Sequence, residues 1–259
     1  MAYIVPLYGA LHVLEASTVT CTPAASASFP LFYLFDRRGG SLFAFGSSGA
    51  SSRIDVDRGA AGLEVFDRLF IPSGHNLGAQ TVTVKTSTTG AFAGEEVTRA
   101  SFTSAPGLID QAVTSNSDRF VRITFAGTGT WQLGELWLTH RLSTGARGPD
   151  PRWNDVKRGQ YDRTVYRSGV TSTAILGPAR RVLGYSFNRL PDGAEGATLK
   201  AFLDAIAWGA VRFLLWPIDG SSPLMAELDS QATRQQDSPN PQASGITWQV
   251  ALPMVEALG

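Results

Sequence analysis

The stretch that decides the fold is RFVRITF, residues 119–125, in which two kinds of side chain alternate strictly. Because successive side chains of a β-strand point to opposite faces, this spacing places Val121, Ile123 and Phe125 on one face and the residues between them on the other. The same alternation occurs in QTVTVKTS, residues 80–87. Short alternating runs separated by turn signals predict a sandwich or jelly roll of β-strands.

A second pattern occupies the carboxy-terminal part of the chain. Strand-like runs there flank one segment, 199–208, whose apolar residues recur at helical spacing after an N-cap at Thr198. Between the two patterns lies STGARGPDPRWNDVKRG, whose Gly, Pro and charged residues are typical of a linker. We therefore predict a mainly β protein with a jelly-roll domain and N-terminal arm at 1–145, a linker at 146–160, and a β-sandwich domain with one flanking α-helix at 161–259.

The same periodicities predict the core of the second domain. Its apolar residues share either helical spacing in the helix or alternation in the flanking strands. These residues are Val182, Phe187, Phe202, Leu203, Ile206, Leu214, Trp216, Trp248 and Val250.

The composition limits the classes of partner. The 22 basic and 22 acidic residues cancel and no long basic run occurs, so nucleic acid is not a predicted partner. Cys21 is the only cysteine, which excludes an intrachain disulfide and a cysteine zinc site. No stretch reaches the roughly 18 apolar residues that a transmembrane helix needs. The amino terminus also lacks the basic leader of a secretory signal, so we expect synthesis in the cytoplasm and no membrane insertion.

No local motif indicates catalysis. His12, His75 and His140 are widely separated and show none of the spacings that place two ligands on one metal. No GxSxG elbow and no phosphate-binding loop occurs. A hydrolase would need a base, a nucleophile and an orienting group that converge only in space. We predict no enzyme, no cofactor and no metal.

Three residues are candidates for ligand contact. His75 and Asn76 lie in IPSGHNLG, where Gly74 and Gly78 indicate a bent loop, and Trp131 lies in a turn rich in Gly and Thr. These side chains could contact a ligand or partner. The alternative for His75 is a hydrogen bond to the backbone of its own loop.

Three carboxylates stand out by position. Asp55 and Asp57 are two residues apart, so they could face one side of a strand, with solvent exposure as the default interpretation. Glu135 lies in an otherwise apolar run. Burial of its charge would require a partner such as Arg119 or Arg122, and the alternative is a strand end near water.

The first domain resembles the galactose-binding-like, or discoidin-type, jelly roll over about residues 40–140. The resemblance is carried by RLFIPSGHNLGAQTVTVKTST, then RFVRITF, then WQLGELWL. Similar modules with GHNL occur in bacteriophage tail proteins. The resemblance implies a jelly roll, and its sugar-binding members imply an alternative function, a carbohydrate-binding adhesin that contacts cell-surface glycan through His75, Asn76 and Trp131.

The second domain is similar to the ring-forming domain of bacteriophage distal tail and baseplate proteins. The similarity rests on RRVLGYSFNRL, the helix TLKAFLDAIAWGAV, the strand RFLLWPID and the closing strand GITWQVALPMVE. It implies a β-sandwich with a flanking helix, packed into a closed ring of six copies at the end of the tail tube.

These resemblances lead to a main functional hypothesis. The chain would be a non-enzymatic structural subunit of a phage tail tip or baseplate, forming a homohexameric ring at the distal end of the tail tube and linking it to host-recognition parts. It would assemble with further copies of itself and with other tail-tube and tail-tip proteins. It would be located in the virion, which is assembled in the bacterial cytoplasm. The residues predicted at the assembly interface are Trp153, Arg180, Arg181, Gln235 and Gln236. Gln235 and Gln236 lie in the stretch 229–245, whose Gln, Ser, Pro and Asn residues predict a long exposed loop.

Overall fold

The computed structural model describes residues 7–9, 12–38, 40–60, 64–143, 154–165, 171–191, 194–206, 211–217, 221–228, 233–236 and 247–256. The chain forms two compact units. We call residues 12–141 the sandwich unit, and Leu7 and Tyr8 together with the described residues from 142 onward the sheet–helix unit.

The described secondary structure is mainly β, as predicted. In chain order the strands are β1 (Leu7–Gly9), β2 (Thr18–Thr22), β3 (Phe43–Ala44), β4 (Gly49–Asp57), β5 (Phe66–Ile71), β6 (Thr81–Ser87), β7 (Val97–Thr103), β8 (Ile109–Asn116), β9 (Phe120–Gly129), β10 (Gln132–Leu133), β11 (Trp137–Thr139), β12 (Leu142–Ser143), β13 (Asn154–Val165), β14 (Thr171–Pro191), β15 (Phe213–Trp216), β16 (Leu224–Leu228), β17 (Thr233–Gln236) and β18 (Thr247–Glu256). The α-helix is α1 (Ala194–Ala205), and a 3₁₀ helix spans Leu31–Leu34. Among the described helices, none combines the length and the apolar character that crossing a bilayer requires.

The sandwich unit is built from two antiparallel sheets that share one core. The larger sheet has the order β2-β4-β9-β6-β7 and the smaller one the order β11-β5-β8, with a short β10-β3 pair beside them. The chain passes from one sheet to the other at β4–β5, β5–β6, β7–β8 and β8–β9. Such repeated crossing is the connectivity of a jelly roll.

Strand β9 confirms the alternation predicted for RFVRITF. Val121, Ile123 and Phe125 are fully buried and belong to the core, together with Phe66 and Leu69 of the facing sheet. The residues between them are only partly buried and point to the opposite side of the sheet. This leaves the five-stranded sheet with a solvent-facing surface, which we call the outer face.

The sheet–helix unit is one eight-stranded sheet with α1 packed against it. The strand order is β12-β1-β15-β16-β18-β14-β13, and β17 also pairs with β18. The Phe202 ring of α1 lies 4.5 Å from the ring of Tyr8 and 5.1 Å from the ring of Phe213, centroid to centroid. The helix therefore packs against β1, from the amino-terminal part of the chain, and β15, from the carboxy-terminal part.

The predicted core of this unit is confirmed wherever side chains are described. The buried members are Val182, Phe187, Phe202, Leu203, Ile206, Leu214 and Trp216. The side chains of Trp248 and Val250 lie outside the described part of the structure.

The predicted domain boundaries differ from those of the structure. Strand β13 starts at Asn154, inside the stretch predicted as the linker at 146–160, and pairs with β14. Its polar composition is compatible with a strand because the neighbouring backbone satisfies its hydrogen bonds. At the other end, Leu7 and Tyr8 pair with Ser143 and Leu142 of β12, so this part of the predicted N-terminal arm belongs to the second unit.

Two further elements differ from prediction. Helix α1 begins at Ala194, earlier than the predicted 199–208, and the Thr198 hydroxyl donates to the carbonyl of Ala194 at 2.8 Å. Thr198 therefore bonds within the helix and does not cap it. Gln235 and Gln236, predicted in a long exposed loop, lie in β17 opposite Gln249 and Trp248.

Candidate functional site

Two adjoining cavities open on the outer face of the sandwich unit. The first has a volume of about 290 Å³ and the second about 210 Å³, and both are bordered by Phe92 and Arg122. The first is also lined by Ser51, Arg53, Thr83, Lys85, Glu96 and Thr124. The second is also lined by polar side chains that include Thr18, Thr20, Asp55 and Asp57.

Strand pairing gathers these side chains from distant parts of the chain. Asp55 of β4 lies opposite Arg122 of β9, and Lys85 of β6 lies opposite Arg122 on the other side. Directly paired residues on one face of a sheet have Cβ atoms about 4.5–5.5 Å apart. Asp55 and Asp57 therefore share the outer face, as their spacing predicted, and they face cationic neighbours there.

Phe92 is the aromatic residue that both cavities share. It lies in the β6–β7 loop with a φ of +50°, and the Arg122 guanidinium carbon lies 4.1 Å from the centroid of its ring. At Gly90 a Cβ atom would come within 3.0 Å of the Phe120 ring. The close approach of this loop to the sheet therefore requires glycine at position 90. The ring is half-buried and presents an apolar surface among polar groups.

The Glu95 carboxylate holds this loop in shape. It accepts hydrogen bonds from the hydroxyls of Ser87 at 2.7 Å and Thr89 at 2.9 Å. It also accepts from the backbone N–H groups of Phe92 and Ala93, both at 2.8 Å. These hydrogen bonds to the ionised form, with the Ser87 hydroxyl contributing most, lower the pKa of Glu95 to about 2. The position of Phe92 is thus set before any ligand arrives.

Ion pairs orient the charged groups of the outer face. Asp55 accepts from Nε of Arg53 at 3.1 Å and from Nε of Arg122 at 2.5 Å. The Lys85 ammonium lies 3.1 Å from a Glu96 carboxylate oxygen. Each of these side chains has an oppositely charged partner within the protein, and these pairs orient the charged groups of the face.

Asp57 forms a separate pair at the edge of the second cavity. Its two carboxylate oxygens accept from Arg119 at 2.7 and 2.8 Å. This bidentate contact is the main cause that lowers the pKa of Asp57 to about 2, helped by the Gly59 backbone N–H. Arg119 therefore bonds Asp57 and Arg122 bonds Asp55, and neither is the partner of Glu135.

The structure brings the predicted ligand residues His75, Asn76 and Trp131 into one region but engages them internally. The Asn76 amide donates to the carbonyl of Thr130 at 3.1 Å and accepts from the Gln132 N–H at 2.6 Å. Trp131, predicted as a candidate for ligand or partner contact, is buried, with 7% of its surface exposed. Asn76 bonds the backbone of the residues on both sides of Trp131, which holds this turn against the sandwich unit. The ligand role of Trp131, like that of Asn76, stays a prediction.

His75 contacts its own loop. Its Nδ1 accepts from the Leu77 N–H at 3.4 Å, as the alternative interpretation expected. Burial lowers the pKa of His75, partly offset by a backbone hydrogen bond at Gly107. A ligand role for this neutral imidazole stays a prediction.

The predicted assembly residues fall in the sheet–helix unit. Arg180 forms an ion pair with Glu227 at 3.4 Å, and Arg181 donates through a terminal nitrogen to the Ser221 hydroxyl at 2.5 Å. Trp153 and the side chains of Gln235 and Gln236 lie outside the described part of the structure. Their roles in assembly stay predictions.

Glu135 lies in a buried polar cluster inside the sandwich unit. It accepts from the Trp137 indole N–H at 2.5 Å, and the Asp36 carboxyl lies near it. The centroid of the His12 ring lies 4.2 Å from that of the Trp137 ring. The guanidinium carbon of Arg37 lies 5.0 Å from the centroid of the same indole, and Arg37 is ion-paired with Glu15. Burial, with Asp36 nearby, raises the pKa of Glu135 to about 8. Glu135 is fully buried, so the alternative of a strand end near water is wrong. The Trp137 indole takes the place of the predicted arginine partners.

Sequence reasoning missed Phe92, Glu95 and Lys85 as members of the site. The stretch TSTTGAFAGEE, residues 86–96, reads only as a turn-rich loop because its place over the sheet depends on pairing between β6 and β9. One usable signal was present, a single aromatic residue among small ones in a loop that ends in two glutamates.

Comparison with known proteins gives structural matches and no sequence family. No family model and no curated protein matches the chain. Solved structures similar to it include chitosan-binding module 1 from the chitosanase/glucanase of Paenibacillus sp. IK-5, with 18% identity, a TM-score of 0.41, and coverage of 49% of this chain and 98% of that one. Another is the family 32 carbohydrate-binding module of C. perfringens NanJ in complex with galactose, with 17% identity, a TM-score of 0.41, and coverage of 52% and 98%. A third is a Ruminococcus gnavus fucosidase, with 15% identity and a TM-score of 0.42, where the match covers 52% of this chain but only 27% of the fucosidase.

Proposed function

We propose that the sandwich unit is a carbohydrate-binding module, not an enzyme, and that it binds its ligand across the outer face. The observation that carries the proposal is the Phe92 ring, which borders two adjoining cavities that both contain charged groups and hydroxyls. A pyranose ring has an apolar C–H face and a rim of hydroxyls. An aromatic ring flanked by oriented donors and acceptors complements both.

The dimensions and chemistry of the cavities support this ligand class. Small-molecule sites occupy about 300–1,000 Å³, and the two adjoining cavities, about 290 and 210 Å³, reach that range only when one ligand spans both of them. Threonine hydroxyls and ion-paired carboxylates line them. Because internal partners already hold these charged groups, little order is lost when hydroxyls of a sugar bond to them.

Substituting Phe92 by Ala is expected to weaken glycan binding at least about tenfold, since the stacking surface is lost. The intact protein would first be screened on a glycan array, and the affinity for the best ligand would then be measured by titration calorimetry. Phe32→Ala is the matched control, because Phe32 is 53% exposed and lies on the 3₁₀ helix of the same unit. Equal loss in both variants, or no glycan bound by the wild type, would contradict the proposal.

We propose as a second candidate function that the sheet–helix unit assembles into a ring, as a structural subunit of a phage tail tip within the virion. Its support is the β13–β14 hairpin. Residues 171–180 of β14 pair with β13, whereas the pairing with β18 starts at Val182. Among the described strands, β13 is the last in the sheet order. A two-stranded ribbon with an open edge is marginally stable in water and offers backbone groups to another chain.

Shortening this hairpin is expected to convert an oligomer into a monomer. Asp162 pairs with Ala174, so an Asn-Gly turn in place of residues 163–173 would join them in register. Light scattering after size exclusion would measure the mass of both proteins over a range of concentrations. A wild-type chain that is monomeric throughout would rule out autonomous ring formation. An oligomer that survives the shortening would exclude the hairpin as the contact.

A further inference from the structure

The two cavities of the outer face differ in charge. The first is lined by the cations Arg53, Lys85 and Arg122 and by one carboxylate, Glu96. The second is lined by two carboxylates and by Arg122, which both cavities share. A ligand lying across Phe92 therefore meets a cationic region on one side and an acidic, hydroxyl-rich region on the other.

The guanidiniums of the first cavity are only partly neutralised. Arg53 and Arg122 share one carboxylate, Asp55, and each bonds it through Nε. Within the described residues, no group accepts a hydrogen bond from the terminal nitrogens of these two guanidiniums. The side chain of Arg53 is 41% exposed and that of Lys85 is 35% exposed, so both can reach a ligand.

Guanidinium groups bind a planar carboxylate through two parallel hydrogen bonds. Asp55 fixes the guanidinium planes through Nε, which leaves their outer edges for a second anion. Lys85 adds a point charge on the neighbouring strand, where it lies opposite Arg122. These three cations converge on one small cavity that also holds hydroxyl groups.

We infer that the ligand is an acidic oligosaccharide containing a uronic acid, whose carboxylate occupies the first cavity beside Arg53, Lys85 and Arg122. The adjoining sugar ring lies in the second cavity, against Phe92 and near Asp55 and the threonine hydroxyls. This inference rests on the proposed carbohydrate-binding function and adds the ligand's charge and its direction across the face.

The test compares two ligands that differ only in the carboxylate. An oligogalacturonate and its carboxyl-reduced, neutral counterpart are titrated into the intact protein by calorimetry. We expect the acidic ligand to bind at least about tenfold more tightly at low salt. We also expect this advantage to shrink as the ionic strength rises, because the pairing groups are partly exposed.

The Arg53→Gln variant then locates the carboxylate. It is expected to lose about tenfold in affinity for the acidic ligand and to keep its affinity for the neutral one. Lys200→Gln is the charge-matched control, since Lys200 lies on α1 of the other unit and its side chain is 50% exposed.

The outcomes separate the two proposals. Equal affinity for the acidic and neutral ligands overturns the uronic-acid inference and leaves carbohydrate binding in place. Binding of neither ligand, together with no hit on the glycan array, overturns the proposed function and the inference with it. An acidic preference that Arg53→Gln does not change overturns the assignment of the carboxylate to the first cavity.

Discussion

Replacing Glu135 by Gln is expected to stabilise the sandwich unit more and more as the pH rises. Relative to the wild type, the free energy of unfolding of the variant should grow by about 4 kcal/mol between pH 4.5 and pH 8. The cause is the pKa of Glu135, raised from 4.5 to about 8 by burial and by the neighbouring Asp36. The folded state keeps the proton until the pH approaches 8, while the unfolded state releases it above pH 4.5.

The sign follows from proton binding. Because the folded-state pKa is the higher one, the stabilisation by protonated Glu135 is complete below pH 4.5 and is lost as the pH rises through 8. Glutamine reproduces the protonated carboxyl at every pH: its carbonyl can accept from the Trp137 indole N–H, and its amide can donate to Asp36. The variant therefore does not lose this part of its free energy of unfolding as the pH rises.

A second group in the same cluster acts in the opposite direction. Burial is the main cause, with Arg37 nearby, that lowers the pKa of His12 well below 6.5. The stability that neutral His12 contributes is fully present above pH 6.5 and is lost as the pH falls through the lowered pKa of His12. The wild type alone should therefore show its clearest decline between pH 6.5 and 8, whereas the difference between wild type and variant isolates Glu135.

Denaturant unfolding of both proteins across pH 4 to 9 would measure this difference. Glu135→Ala is the companion variant, because it also lacks the titrating carboxyl but loses the hydrogen bond to Trp137 and leaves a cavity. It should run parallel to Glu135→Gln at lower stability. A difference between wild type and Glu135→Gln that stays constant with pH would show that Glu135 does not titrate with a raised pKa.

Substituting Phe202 by Ala is expected to lower the free energy of unfolding of the sheet–helix unit by about 3–5 kcal/mol. Phe202 is 1% exposed and packs its ring between Tyr8 of β1 and Phe213 of β15. The substitution removes buried apolar surface and leaves a cavity between α1 and two strands that cannot close without moving the helix.

Hydrogen exchange of the amides in α1 and β15 would report this loss in the affected unit. Lys200→Ala is the control, since Lys200 is exposed on the same helix and such substitutions change stability by less than about 0.5 kcal/mol. Exchange protection in Phe202→Ala equal to that of the wild type would contradict the core position of this ring.

Local alternation was enough to predict β6 and β9, two of the strands that carry the site. Val82 and Val84 of β6 and Val121, Ile123 and Phe125 of β9 alternate with polar residues, so the buried side and the outer face can be assigned without knowing the neighbours of either strand. The helix around Phe202 was predictable for the same reason, although its start was not. Where side-chain periodicity is weak, as in β13 and β17, the strand depends on backbone pairing with a distant partner, and prediction gave a linker and a loop.

The sequence by itself determined the class of the protein, mainly β with one helix, and which side of its clearest strands faces the core. Only the tertiary structure decided that Phe92 lies over Arg122, that Asp55 bridges two arginines, and that Trp131 is buried. Alternation is a property of one strand, set by the period of the backbone. A site is a property of register between strands, and Asp55 meets Arg122, 67 residues away, only when the chain has closed the sheet between them.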